Sequence, residues 1–155
     1  MTETYDGTRN EEVMRRLVDE VSNNRNAAVI DEITDPDWEP HALHYAPFTP
    51  ASMEGKSPLD MMREYCERGD PNFTDTHATI DRMFSSGDTL VAVVTSTGTR
   101  GNKTISWTSV FSVFIERFRD GRFIETWSLS DRLGMYQQLG VVPETQKLRE
   151  MAGLV

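Results

Sequence analysis

Four consecutive β-type segments in the second half of the chain constrain the fold more than any other feature. They span about residues 73–84, 89–99, 104–119 and 122–130 and are rich in Thr, Val, Phe and Trp. The turn signals SSGD, RGNK and RDG separate them, and short turns of this kind are typical of hairpins. The segments therefore predict an antiparallel meander. The third is about three times the usual strand length, so we expect it to bend.

Helical periodicity occurs in the first half of the chain and again at its end. Thr8 and Glu11 form a capping-box pair before apolar residues that recur along one helical face. The segment from Asp35 to Gly55 holds four prolines among aromatic residues, and we predict that it is a loop over a pocket mouth. The predicted helices cover about residues 8–23, 26–34, 57–69 and 131–140, with a last one after Pro143.

Size and charge exclude several classes of protein. The 155 residues predict one domain over 1–155, and no apolar run approaches the ~18 to 20 residues that cross a bilayer. Sixteen basic against 25 acidic residues give a net charge of −9, which disfavours nucleic acid and anionic lipid as partners. The single Cys66 and the absence of a leader-like N-terminus predict a cytoplasmic protein.

The RDG turn decides the predicted register of the last hairpin. A two-residue turn at Asp120-Gly121 would place Glu116 opposite Glu125, a destabilising like-charge pair. A three-residue loop from Arg119 to Gly121 avoids that pair, so we predict it. The resulting cross-strand pairs are Phe111 with Leu129, Val113 with Trp127, Ser112 with Ser128, and Phe114 with Thr126.

Alternation along the strands divides the predicted sheet into two faces. The apolar face is predicted to hold Leu90, Ala92 and Val94 with Trp107, Phe111, Val113 and Trp127. Helices can cover only one face, so this one predicts a homodimer through Trp107, Phe111, Val113 and Trp127. The mixed face predicts a hydrophobic small-molecule pocket lined by Val93, Val110, Ser112, Phe114, Thr126 and Ser128. The alternative is a helix-filled core whose hydroxyls bond to the backbone.

Three stretches in order resemble the SnoaL-like polyketide cyclase group of the nuclear transport factor 2-like superfamily. They are THATIDRMFSSGDTLVAVVTSTGTRG, FIERFRDGRFIETW and DRLGMYQQLG. The resemblance implies an α+β fold in which a curled antiparallel sheet wraps around N-terminal helices as a cone-shaped barrel. It also implies an enclosed pocket for a hydrophobic ligand and dimers through the outer sheet surface.

The residues of the aldol-type cyclases do not carry over to this chain. As the resemblance aligns them, the acid/base Asp of those enzymes falls at Ser128 and a His falls at Thr126. A second pocket His falls at Phe114 and a Gln at Ser112. The inner wall is thus far less ionisable here than in those enzymes.

Asp131 and His44 are the candidate catalytic residues. Asp131 has the W-x-x-x-D spacing and, at a pocket's end, a carboxylate can abstract a proton beside a carbonyl; its alternative role is to cap the helix that follows. His44 lies in the proline-rich segment with His41, Tyr45 and Phe48, all predicted to contact substrate. His41 and His44 have no third ligand at a recognisable spacing, so we expect neither metal nor cofactor.

Two functions follow from this pattern. One is a cofactor-independent cyclase, isomerase or dehydratase that acts by general acid–base chemistry on a hydrophobic, oxygenated, polyketide-like metabolite. The other is a non-catalytic small-ligand-binding module of the same fold.

Overall fold

The computed structural model describes residues 7–42, 55–69, 72–106 and 112–154. In these residues a curled, open sheet of six strands packs against the N-terminal helices, which confirms the α+β class; the strand order is β1-β6-β5-β3-β2, with β4 also paired to β3. The helices are α1 (Gly7–Arg16), a π-helical segment (Leu17–Asn23), a 3-10 turn (Ala27–Val29), α2 (Ile30–Ile33), α3 (Pro58–Arg68), α4 (Arg132–Leu139) and α5 (Thr145–Met151). The strands are β1 (Thr34–Ala42), β2 (Thr74–Ser86), β3 (Thr89–Arg100), β4 (Lys103–Ser106), β5 (Ser112–Arg119) and β6 (Arg122–Leu129).

The predicted loop from Asp35 is wrong over its first part, because Thr34–Ala42 forms β1. This strand pairs parallel with β6 and lies at one edge of the sheet. Pro36 and Pro40 are tolerated there because an edge strand leaves one row of N–H groups without a ladder partner. The parallel pairing joins β1 to the last strand of the antiparallel meander, which the sequence pattern did not indicate.

The three-residue loop predicted for the last hairpin is also wrong. Arg119 pairs with Arg122 across a two-residue turn, and Asp120 and Gly121 have φ of 54° and 74°. Positive φ at both central residues is the geometry of a tight hairpin turn that matches strand twist. The register then shifts beyond Phe118 and Phe123, so that Glu116 lies opposite Thr126 and the Glu–Glu pair is avoided by a bulge.

The predicted faces of β3 are reversed in the structure. The Gly101-Asn102 turn is confirmed, with Arg100 opposite Lys103. Between β4 and β5, however, the register moves by three residues, since Val94 pairs with Ser112 where continuation of the β4 register requires residue 109. An odd shift exchanges the two faces of a strand.

Leu90 and Ala92 therefore point inward and are 0% exposed, and Val94 lies beside them. Val93, predicted to line the pocket, pairs with Val113 on the outer face instead. Trp107, Val110 and Phe111 lie outside the described residues.

The core lies between the inner face of the sheet and the first helices. Val13 and Met14 of α1 and Ile30 and Ile33 of α2 pack against Leu90 and its inward-facing neighbours. Burial of these apolar side chains is the main stabilising contribution in a domain of this kind. None of the described helices is long and apolar enough to span a membrane.

Candidate functional site

A cavity of about 780 Å³ lies between the inner face of the sheet, the π-helical segment, α3 and α4. Its deep part is apolar and includes Met14, Val18, Val94 and Phe114, with the thiol of Cys66 at one side. Polar side chains from several elements line the rest: Ser22, Asn23, Arg25, Tyr65, Asn72, Thr76, His77, Ser96, Thr97, Arg100, Ser112, Ser130, Arg132 and Tyr136. Apolar walls with a few polar groups are typical of a small-molecule site.

The π-helical segment forms one wall of this cavity. Leu17, Val18 and Val21 face the cavity from it, and the hydroxyl of Ser22 donates to the carbonyl of Leu17 at 3.1 Å. The Asn23 side chain holds the segment against β2, because its amide donates to the Ala78 carbonyl at 2.9 Å and its oxygen accepts from the Ala78 N–H at 2.7 Å. Short π-helical turns are frequent at functional sites.

Two of the residues predicted for the pocket line the cavity. Ser112 and Phe114 face it from β5, and the Ser112 hydroxyl donates to the Ser130 hydroxyl at 3.2 Å. Ser128 lies opposite Phe114 on β6. Their contact with a ligand stays a prediction.

Thr126, also predicted to bind substrate, takes part in a hydrogen-bond network inside the protein. Its hydroxyl accepts from the indole N–H of Trp38 at 2.8 Å and donates to the Glu116 carboxyl group at 2.5 Å. The network joins β1, β6 and β5. Much of the hydrogen-bonding capacity of Thr126 is thus already used.

Glu116 is a buried carboxyl group that the sequence analysis did not identify as a special residue. It is 1% exposed and lies on the inner face beside Leu90 and Thr126. Burial raises the pKa of Glu116 to about 8, and the hydrogen bond from Thr126 acts in the opposite direction. The side chain therefore holds its proton at neutral pH. The sequence signal that could have identified Glu116 is the alternation along β5, which places it on the same face as Ser112 and Phe114.

Asp131 is the N-cap of α4, so its predicted capping role is confirmed. One carboxylate oxygen accepts from the Gly134 N–H at 2.9 Å. Its neighbours in sequence, Ser130 and Arg132, both line the cavity. A role for Asp131 in catalysis stays a prediction.

His41 lies away from the cavity, on β1 beside β6. Its ring stacks on Trp127 with centroids 5.0 Å apart, and Trp127 belongs to the outer face. The buried Nε2 atom of His41 has no hydrogen-bond partner among the described residues and lies 3.8 Å from Glu125, too far for a hydrogen bond.

Glu39, His41 and Glu125 are the group most able to hold a metal ion in the described part of the chain. One ligand atom from each lies within 4.8 Å of the others. Glu39 is exposed, however, and Glu125 already forms an ion pair with Arg117. A charged cluster shared by β1 and the neighbouring β6 accounts for this arrangement without an ion. His44, Tyr45 and Phe48 lie outside the described residues.

Comparison with known proteins agrees with the fold. The family model described as a SnoaL-like domain matches residues 14–126, whereas no curated protein matches the chain. The structure of TsrD from Streptomyces laurentii is similar at a TM-score of 0.69 and 21% identity, over 88% of this chain and 98% of that one.

Two further structures show how varied such proteins are. A proposed polyketide cyclase from Bacillus cereus has a TM-score of 0.69 and 21% identity, over 87% of this chain and 83% of its own. An epoxide hydrolase from M. tuberculosis has a TM-score of 0.64 and 12% identity, over 87% and 92%. At these identities the likeness concerns the fold alone. Because the family model covers most of the chain, the protein belongs to the SnoaL-like domain family.

Proposed function

We propose that the protein is a cofactor-independent enzyme that cyclises, isomerises or dehydrates a hydrophobic, oxygenated metabolite of polyketide type. The observation that carries the proposal is the cavity of about 780 Å³, which is apolar at depth and has hydroxyl groups along its walls. An apolar cavity excludes water from a ring system, and we propose that the hydroxyls of Ser112 and Ser130, which are hydrogen-bonded to each other, orient its oxygens. Similar structures include proposed polyketide cyclases.

Asp131 and His44 are the groups that we propose to move the proton. The cap bond occupies one oxygen of Asp131, and the same carboxylate has a second oxygen that can accept a proton. Its position between two cavity-lining residues supports this role. His44 is proposed from its sequence alone.

We expect the substitution Asp131→Asn to lower turnover about 100-fold or more while the fold is retained. Asn is as good an N-cap as Asp, so α4 keeps its first hydrogen bond, but an amide cannot accept the proton. Turnover of a panel of hydroxylated polycyclic ketones is measured by mass spectrometry, with the melting temperature as control. Unchanged turnover in the Asn variant would remove Asp131 from the mechanism.

A second candidate function is a module that binds a small ligand without changing it. It is favoured because no Asp or Glu is among the described residues that line the cavity. Acid–base catalysis of enolisation usually needs a carboxylate or an imidazole in contact with substrate, and of these two groups only the imidazole of His77 is among the described lining residues. Recovery of every bound compound unchanged after long incubation favours this module, whereas a converted product excludes it.

We also propose that two copies pair through the outer face of the sheet. Val91, Val93, Val113, Ile115, Trp127 and Leu129 lie on this face. Leu129 is 46% exposed, and the patch is continuous across β3, β5 and β6. Continuous apolar patches of this kind typically mark interfaces.

The substitution Leu129→Glu is expected to shift the protein from dimer to monomer. It places a charge in the proposed interface, where desolvation costs several kcal/mol. The matched control is Leu133→Glu on α4, which is 50% exposed and should leave the dimer intact. Sedimentation velocity measures the oligomeric state of the parent protein and of both variants. A monomeric parent protein, or equal dissociation of the two variants, would contradict the proposed interface.

A further inference from the structure

We propose that the ligand of the main cavity carries a carboxylate, held at the mouth by Arg25, Arg100 and Arg132. This inference rests on the proposed function, because it concerns the ligand of that same cavity. All three arginines line the cavity, and no Asp or Glu is among its described lining residues. The positive charge of these three lining residues is opposite in sign to the net charge of the whole chain, which is −9.

These arginines differ from most others in the described part of the chain. Arg15, Arg16, Arg63, Arg68, Arg117 and Arg119 each form an ion pair with a carboxylate. No described carboxylate lies within ion-pair distance of Arg25, Arg100 or Arg132. In an acidic protein, unpaired arginines at one opening create a local positive potential that attracts anions.

The three side chains come to the mouth from separate parts of the fold. Arg25 is in the turn after the π-helical segment, Arg100 ends β3, and Arg132 begins α4. Arg100 has the same strand parity as Val94 and Ser96, so it continues the inner face. Tertiary structure alone brings these three exposed side chains to the lining of one cavity.

Arg25 is held in place by its surroundings. Its backbone has a φ of 55°. Its guanidinium lies against Gly69, where a Cβ added to the glycine would be only 1.7 Å from Nη1 of Arg25. Nη2 donates to the Thr76 hydroxyl at 3.4 Å. Because Gly69 has no side chain, the guanidinium can lie across this turn at the edge of the cavity.

The chemistry of the two ends of the cavity defines the ligand class. The deep part accepts an apolar ring system, and the mouth offers planar guanidinium groups that bind carboxylates through paired hydrogen bonds. Tyr65 and Tyr136, which are 55% and 40% exposed, line the same cavity. An aromatic or alicyclic carboxylic acid, bound ring first, satisfies both ends.

The test compares anthraquinone carboxylic acid with its carboxamide by isothermal titration calorimetry. The two probes share a ring system and differ in charge. We expect the acid to bind about tenfold more tightly than the amide at low salt, since one charge-assisted contact contributes about that factor. Added salt should reduce this advantage, because mouth charges are screened over about 10 Å at 0.1 M.

Variants of the arginines test whether these residues cause the difference in affinity between the acid and the amide. Arg100→Gln and Arg132→Gln should each weaken acid binding by a larger factor than amide binding, because only the acid loses a charge-assisted contact. Arg82→Gln is the matched control, because Arg82 pairs with Val93 on the outer face and its loss changes net charge equally. Circular dichroism checks that each variant folds.

The outcomes separate this inference from the proposed function. Equal affinity for acid and amide overturns the carboxylate inference and leaves the cavity as a binding site. The same conclusion follows if Arg82→Gln loses as much acid affinity as Arg100→Gln and Arg132→Gln do. Failure of both probes to bind contradicts the binding cavity and the inference together. Selective loss of acid binding in the mouth variants supports both.

Discussion

Replacement of Glu116 with Gln is expected to make the protein more stable above neutral pH. Burial raises the pKa of Glu116 to about 8 from an ordinary value of 4.5. The folded protein therefore keeps a proton that the unfolded chain releases. As pH rises from about 4.5 to about 8, this group lowers the free energy of unfolding by about 4 kcal/mol in total, because each pKa unit corresponds to about 1.4 kcal/mol.

The predicted gain in stability of the Gln variant appears only as the pH rises. At about pH 4 both side chains are neutral, so the Gln variant and the parent should be equally stable apart from small packing changes. Near pH 8 the variant should be more stable by about 4 kcal/mol, since Gln has no proton to lose. Urea unfolding at several pH values measures the difference between the two proteins.

Glu125→Gln is the control for this experiment. Glu125 lies on the adjacent strand and forms an ion pair with Arg117, so its charge is compensated. We expect no alkaline gain in stability from this change. Parallel pH curves for the parent and Glu116→Gln would show that Glu116 is ionised in the folded protein.

The substitution Thr126→Val is expected to lower the free energy of unfolding by about 2 to 6 kcal/mol. Valine keeps the volume of threonine but removes the hydroxyl that accepts from Trp38 and donates to Glu116. Two partly or fully buried polar groups then lose their partner, at about 1 to 3 kcal/mol each. Because the bond from Thr126 lowers the pKa of Glu116, its loss should raise that pKa further.

Thr126→Ser separates the contribution of the hydroxyl to stability from that of the methyl group. Serine keeps the hydrogen-bonding oxygen and removes one methyl, so we expect a loss of only about 1 kcal/mol. Unfolding by urea at about pH 6, where Glu116 is protonated, gives the comparison. Equal losses in the Val and Ser variants would mean that packing, and not the network, stabilises this site.

The sequence by itself determined the class of fold and the main elements. Strand alternation between short glycine turns predicted the meander, and helical spacing after Thr8 predicted the first helix, because both patterns are local. The Asp131 cap was equally predictable, since a cap needs only the residues that follow it. The family resemblance rested on the same stretches.

Tertiary structure alone decided the faces of β3 and the pairing of β1. A register shift of three residues between β4 and β5 moved Val93 outward and Leu90 inward, and no turn signal marks such a shift. The proline-containing β1 gained its strand conformation by pairing with β6 across the whole domain.

The same holds for the chemistry of the site. The pKa of Glu116 and the convergence of Arg25, Arg100 and Arg132 depend on neighbours that are distant in sequence. Burial and electrostatics act through space, whereas periodicity reports only the order of residues along the chain.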